Sequence, residues 1–195
     1  MKDLKDKLAE KNSIFDGSHV LRGYRDGVEI EKGIILNEKY IMDNFKEIGD
    51  LLSYFTAYPD CFLDLIKPED SNFKLFFYQR IMLRAIMRFK TVYVTACRAF
   101  SKSFLTILAL FLQCVFMPGT KRFLCMPQKT QGAQVGREKL TEIFQRWPLL
   151  RREVIGGEVS DTPGNYGKDY ITLRFRNGSV LDLVGALESS LGGRR

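Results

Sequence analysis

Thr91-Val92-Tyr93-Val94-Thr95-Ala96-Cys97-Arg98-Ala99-Phe100-Ser101-Lys102-Ser103 decides how this chain of 195 residues is read. Its first five residues are β-branched or aromatic and predict a short strand over 91–95. The next eight match the spacing of the phosphate-binding pattern G-x-x-x-x-G-K-[ST], with Ala96 and Ser101 in place of its glycines. Residues 104–117 are apolar and predict a buried helix. Strand, tight loop, Lys-Ser and helix form the context in which backbone N–H groups and a helix N-terminus face phosphates. In that arrangement Lys102 neutralises the β- and γ-phosphates of ATP, and the Ser103 hydroxyl ligates Mg²⁺. The competing reading is a helix N-terminus with an incidental Lys-Ser pair. Glycine is wanted where φ is positive or where phosphate approaches closely, so a serine at 101 either relaxes the loop or weakens binding.

Composition narrows the setting. Hydrophobic residues make up 45% of the chain, too many for disorder and enough for a substantial core. Cys61, Cys97, Cys114 and Cys125 show no paired spacing, and His19 is the sole histidine. Neither a zinc site nor a disulfide framework is supported, and a reducing compartment is expected. The charged start at Met1 has no apolar signal core. Residues 104–117 are too few to span a bilayer, so no membrane role is expected. Residues 1–70 carry 10 Lys/Arg against 15 Asp/Glu, and residues 71–195 carry 20 against 8. The resulting charges of −5 and +12 suggest an acidic leading segment and a basic domain that meets polyanions. Two solvated faces of opposite sign would give the same count.

Along the chain, residues 1–72 read as a small, mainly helical segment and 73–195 as the second domain. A charged helix is expected over 1–11, a short strand or turn pair over 28–36, and a helix over 37–54 capped by Asn37. Breaks fall at Tyr58-Pro59-Asp60 and at residues 67–72. Residues 77–89 predict a helix with Ile81, Leu83, Ala85 and Ile86 inward and Arg80, Arg84 and Arg88 on a polar stripe. A strand over 122–126 and a helix ending at Pro148 follow, the latter with Val135, Leu140, Ile143 and Phe144 as its apolar face. Residues 170–175 and 180–184 predict a hairpin about a two-residue Asn177-Gly178 turn. The alternation predicts an α/β sheet: a parallel βαβ unit with a β-hairpin insertion.

Several of these motifs, in this order, resemble the ATPase domain of the large terminase subunit of tailed phages. They are Phe77-Tyr78-Gln79 opening a helix, the 96–103 loop, and Leu124-Cys125-Met126-Pro127-Gln128-Lys129. The hairpin Phe175-Arg176-Asn177-Gly178-Ser179 and the terminal Leu191-Gly192-Gly193-Arg194-Arg195 complete the set. The resemblance covers roughly residues 73–195. It implies a P-loop NTPase core of helicase and terminase type, in a motor that uses ATP to package viral DNA into a procapsid. It further implies double-stranded DNA, a portal protein and a small terminase subunit as partners, a homo-oligomeric working state, and the host bacterial cytoplasm as location.

Residue by residue, the resemblance assigns Gln79 to the adenine edge. It places Ala96, Cys97, Arg98, Ala99, Phe100, Ser101, Lys102 and Ser103 around the phosphates and Mg²⁺. Arg98, four residues before Lys102, resembles the family's loop arginine and would stabilise charge on the transferred phosphoryl group. A loop arginine holding a neighbouring carboxylate is its alternative, as a solvated helix-start residue is for Gln79. Gln128 and Lys129 fall where related translocases touch DNA or relay the nucleotide state, and Lys129 reads equally as a surface lysine. Arg194 and Arg195 resemble a Gly-Arg segment or a basic tail.

The family continues into an apolar strand ending in Asp-Glu and then a nuclease domain. Leu181-Asp182-Leu183-Val184 lacks the adjacent glutamate, so the chain is expected to be an amino-terminal fragment ending before that strand. It is expected to be inactive alone, with a sheet lacking a central strand. Two further readings stay open: another helicase-like nucleic-acid ATPase, and a non-enzymatic DNA-binding protein whose loop no longer takes nucleotide.

Overall fold

Burial of the apolar run that begins at Phe104 organises the chain. The computed structural model describes residues 44–68, 71–126, 129–157, 160, 162–167 and 170–185. The expectations for residues 1–43, Gln128, Arg194 and Arg195 lie outside them, as does the side chain of Lys129. The chain divides into two compact units, Met1–Tyr54 and Phe55–Arg195.

The first described helix is α1 (Phe45–Ala57). In the second unit α2 (Pro59–Leu65) begins with proline at its first turn, where the missing N–H costs no helical bond. Then come α3 (Phe77–Arg88), α4 (Lys102–Phe116), β1 (Lys121–Met126), α5 (Lys129–Arg146) and α6 (Pro148–Arg152). Strands β2 (Asn165–Tyr166), β3 (Tyr170–Arg174) and β4 (Val180–Gly185) close the described chain. Among the described residues, no helix is long and apolar enough to cross a membrane.

Helix α4 is apolar on nearly every side because it is enclosed. Leu105, Ile107, Leu108, Ala109, Phe111, Leu112 and Cys114 are all fully buried. It packs against α3, α5, β1 and β4. Helix α5 buries Leu140, Ile143 and Phe144 as expected, with Val135 half-buried. Gly136 is what lets α5 meet the sheet, since a Cβ there would stand 3.0 Å from Leu183 Cδ1 and 3.1 Å from Ile171 Cδ1. The Trp147 indole N–H donates to Leu63 O at 3.0 Å and joins the end of α5 to α2.

The fold is mixed α/β, and its sheet is mixed too, in the order β1-β4-β3-β2. Among the described residues only β1 and β4 pair in parallel; β3 is antiparallel to both β4 and β2. Ile171, Leu173, Leu181 and Leu183 alternate into the core. Thr172 and Asp182 face each other in register on the opposite surface, with Thr172 Oγ1 donating to Asp182 Oδ1 at 2.5 Å.

Three expectations change. Residues 91–95 form no strand, and Tyr93 is 91% exposed. A strand is defined by its partner rather than by β-branched residues, and neither edge of the sheet pairs with this segment. The hairpin loop is longer than two residues, spanning 175–179, with only Gly178 left-handed at φ 82°. Its cause is Asn177, whose Nδ2 donates to Cys114 O (2.8 Å) and Val115 O (3.1 Å) in the last turn of α4. Finally, α3 buries Gln79, Met82, Leu83 and Met87, while Ile81 points outward and Ala85 and Ile86 are half-buried. The helix is turned so that Arg80 and Arg84 reach carboxylates on α2.

Candidate phosphate-binding site

Between the 91–95 segment and α4, the chain makes a tight loop with two residues in the left-handed region, Ala99 (φ 63°) and Ser101 (φ 58°). For a residue with a Cβ this conformation costs roughly 1–2 kcal/mol. Spacing marks Ser101 as a glycine position, and its φ agrees. The other glycine position, Ala96, is not left-handed; Ala99 takes that conformation instead. Left-handed turns of this kind aim successive N–H groups into one concavity, the nest that suits an anion.

Ser101 is the N-cap of α4, yet its hydroxyl makes no cap hydrogen bond. Its carbonyl accepts from Leu105 N at 2.9 Å and starts the helix. Lys102 and Ser103 are thus the first two helical residues, beside the positive end of the α4 dipole. Ser103 is exposed. Lys102 Nζ folds back onto the loop, donating to Ala96 O (2.7 Å) and Cys97 O (2.5 Å). The ammonium thus holds the loop's two ends together. Arg98 and Cys97 are exposed beside it. The Cys114 thiol, deep under the sheet, is pushed up to about 11 by burial and is no nucleophile.

Phe100 links the loop to α3. Its ring lies 4.4 Å from that of Tyr78, which stacks in turn on Phe76 at 5.9 Å and 5°. Next to Tyr78, Gln79 is 95% buried, and its Oε1 accepts the Phe76 N–H at 3.0 Å, the side-chain half of a capping box whose other half a phenylalanine N-cap does not supply. Its NH₂ group and the second lone pair of Oε1 are what the amide can offer a base edge. The structure therefore brings the expected Gln79, Phe100 and Lys102 regions together through aromatic contacts that the sequence motifs did not announce. In the sequence Tyr78 stands out only within the Phe77-Tyr78-Gln79 motif, and nothing marks Ala99, a residue of the expected loop, as left-handed.

For a nucleotide, the residues present fit the phosphates: an uncapped helix start, two left-handed loop residues and a lysine. For Mg²⁺ they supply one ligand, the Ser103 hydroxyl. Among the described residues, no cluster of three or more His, Cys, Asp or Glu side chains could hold a metal on its own. Any Mg²⁺ here would lean on phosphate oxygens and water.

Between α2 and α3 lies an ionic cluster centred on one buried carboxylate. Asp60 is fully buried, and its carboxylate accepts from Arg84 Nε (2.7 Å), Arg84 Nη2 (2.7 Å) and Arg80 Nη1 (3.0 Å). Asp64 takes Arg80 through Nη1 (2.7 Å) and Nη2 (3.1 Å). Burial acts to raise the Asp60 carboxyl, but the hydrogen bonds from Arg84 and Arg80 outweigh it and leave the group below its ordinary value. Arg84 and Arg88 also lie over the Tyr58 ring, at 4.9 and 5.7 Å. No protein-family model matches this chain, and no curated protein matches it.

Proposed function

We propose that the 96–103 loop binds the phosphates of Mg-ATP, and that the chain is the ATPase portion of a DNA-packaging motor of the large-terminase type. The supporting observation is the loop itself: left-handed residues at Ala99 and Ser101, followed directly by Lys102 at an uncapped helix start. Two such costly conformations within three residues mark a functional loop, and the N–H groups they aim suit an anion. Lys102 exchanges two loop carbonyls for phosphate oxygens, Ser103 offers its hydroxyl to Mg²⁺, and exposed Arg98 meets the terminal phosphoryl group. The excess of 20 Lys/Arg over 8 Asp/Glu in residues 71–195 suits a DNA partner.

Calorimetric titration with Mg-ATP tests the reading. Binding that is lost in Lys102→Ala supports it; equal binding in both proteins removes the loop assignment. One observation favours a second reading. The bonds from Lys102 to Ala96 O and Cys97 O could be its permanent role, with the loop a closed structural turn in a DNA-binding protein. Under that reading Mg-ATP does not bind and Lys102→Ala lowers stability alone.

A further inference from the structure

Three groups lock the turn that enters α3. Gln79 Oε1 closes on the Phe76 N–H. Arg80 Nε donates to Leu75 O at 3.3 Å, just before the helix. The other end of Arg80 is clamped by Asp60 and Asp64, and Asp60 also takes the Nε–Nη2 edge of Arg84. Asp60 is the only one of these carboxylates that is fully buried; Asp64 is 28% exposed. As stabilisation alone the arrangement is a weak explanation, because taking the Asp60 carboxylate out of water offsets much of what its partly exposed arginine partners return. What it does provide is direction. A planar guanidinium held on two sides fixes one helix turn in one rotation.

That turn carries Tyr78, whose ring meets Phe100 of the loop at 4.4 Å. We propose that Asp60 is a positioning residue for the base end of a bound nucleotide. Through Arg80 and Arg84 it sets the rotation of α3, and so the distance between the Tyr78 ring and Gln79 amide on one side and the loop on the other. This inference rests on the phosphate-loop reading above. Its own content is that affinity for the base depends on Asp60 while affinity for the phosphates does not.

The test compares two ligands, each with Mg²⁺, by calorimetry: ATP and inorganic tripolyphosphate. In Asp60→Asn, ATP should bind about tenfold more weakly, a change of about 1.4 kcal/mol, while tripolyphosphate stays within about twofold. Arg84→Lys keeps a cation beside Asp60, loses the two-point fork and leaves the fold in place, so the same split should appear there, smaller in size. Equal weakening of both ligands in these variants would mean general damage to the loop and would overturn the proposal. So would unchanged ATP binding in both, or wild-type protein that binds tripolyphosphate as tightly as ATP. Wild-type protein that binds neither ligand overturns the phosphate-loop reading, and this one with it.

Discussion

Replacing Asn177 by alanine should destabilise the protein by about 2–3 kcal/mol, although Asn177 is a half-buried residue at a hairpin tip. Its Nδ2 donates to Cys114 O and Val115 O, two carbonyls that the end of α4 leaves without helical partners. Its Oδ1 accepts from Ser179 N at 3.1 Å and shapes the loop that returns β4 to the sheet. Three hydrogen bonds at about 1 kcal/mol each give the magnitude, with the Cys114 end too buried for water to replace the lost donor freely. For a chain of this size each kcal/mol lowers the melting temperature by about 2–4 °C, so a drop of roughly 5–10 °C is expected. Asn177→Asp keeps the bond from Ser179 N–H but turns an anion towards two carbonyls at the negative end of α4, and should gain nothing over alanine. Urea denaturation should show a lower midpoint with an unchanged slope. A loss below about 0.5 kcal/mol, the range of ordinary surface changes, would refute the capping argument, as would an aspartate variant as stable as wild type.

Other outcomes follow from single contacts. Ser101→Gly and Ala99→Gly should each raise stability by up to about 1 kcal/mol in thermal denaturation, because glycine relieves the left-handed strain; a loss would mean the side chains make compensating contacts. Asp60→Asn should cost about 3 kcal/mol at neutral pH. Because the Asp60 carboxyl lies below its ordinary value when folded, its contribution is complete above about pH 4 and fades as pH falls through the lowered native value, so the gap to wild type should close in acid. A gap that widened in acid would contradict the sign. Gly136→Val should destabilise by about 1–3 kcal/mol through overpacking against Leu183 and Ile171, read by denaturant titration. In the native protein a thiol reagent should modify Cys97 and Cys125 quickly and spare buried Cys114, as peptide mass mapping would show.

What the sequence made legible was local. The all-round apolar pattern of residues 104–117 announced a buried helix, and α3, β1, α5 and the β3–β4 pair fell where periodicity and breaks placed them. Ser101 was legible as a left-handed position because a spacing rule named it. Ala99 was not, since alanine carries no mark of positive φ. The 91–95 segment misled because its residues state a preference, while a strand needs a neighbour that residue preference does not guarantee. Ile81 misled because two arginines, answering Asp60 and Asp64 some twenty positions earlier, decided the rotation of α3. Asn177 read as a turn former and is also a helix cap, a role visible only when α4 and the hairpin meet. Apart from Ala99, these misses share one cause: each depends on a partner distant in sequence.

The central claim is that backbone amides of the 96–103 loop cradle phosphate. The most direct measurement follows the amide resonances of that loop during titration with Mg-ATP. The account predicts large shifts concentrated at Ala99, Phe100, Ser101, Lys102 and Ser103, saturating together with the signals of Tyr78 and Gln79, and absent in Lys102→Ala. Unmoved loop amides at saturating Mg-ATP, or shifts centred elsewhere in the chain, would contradict it.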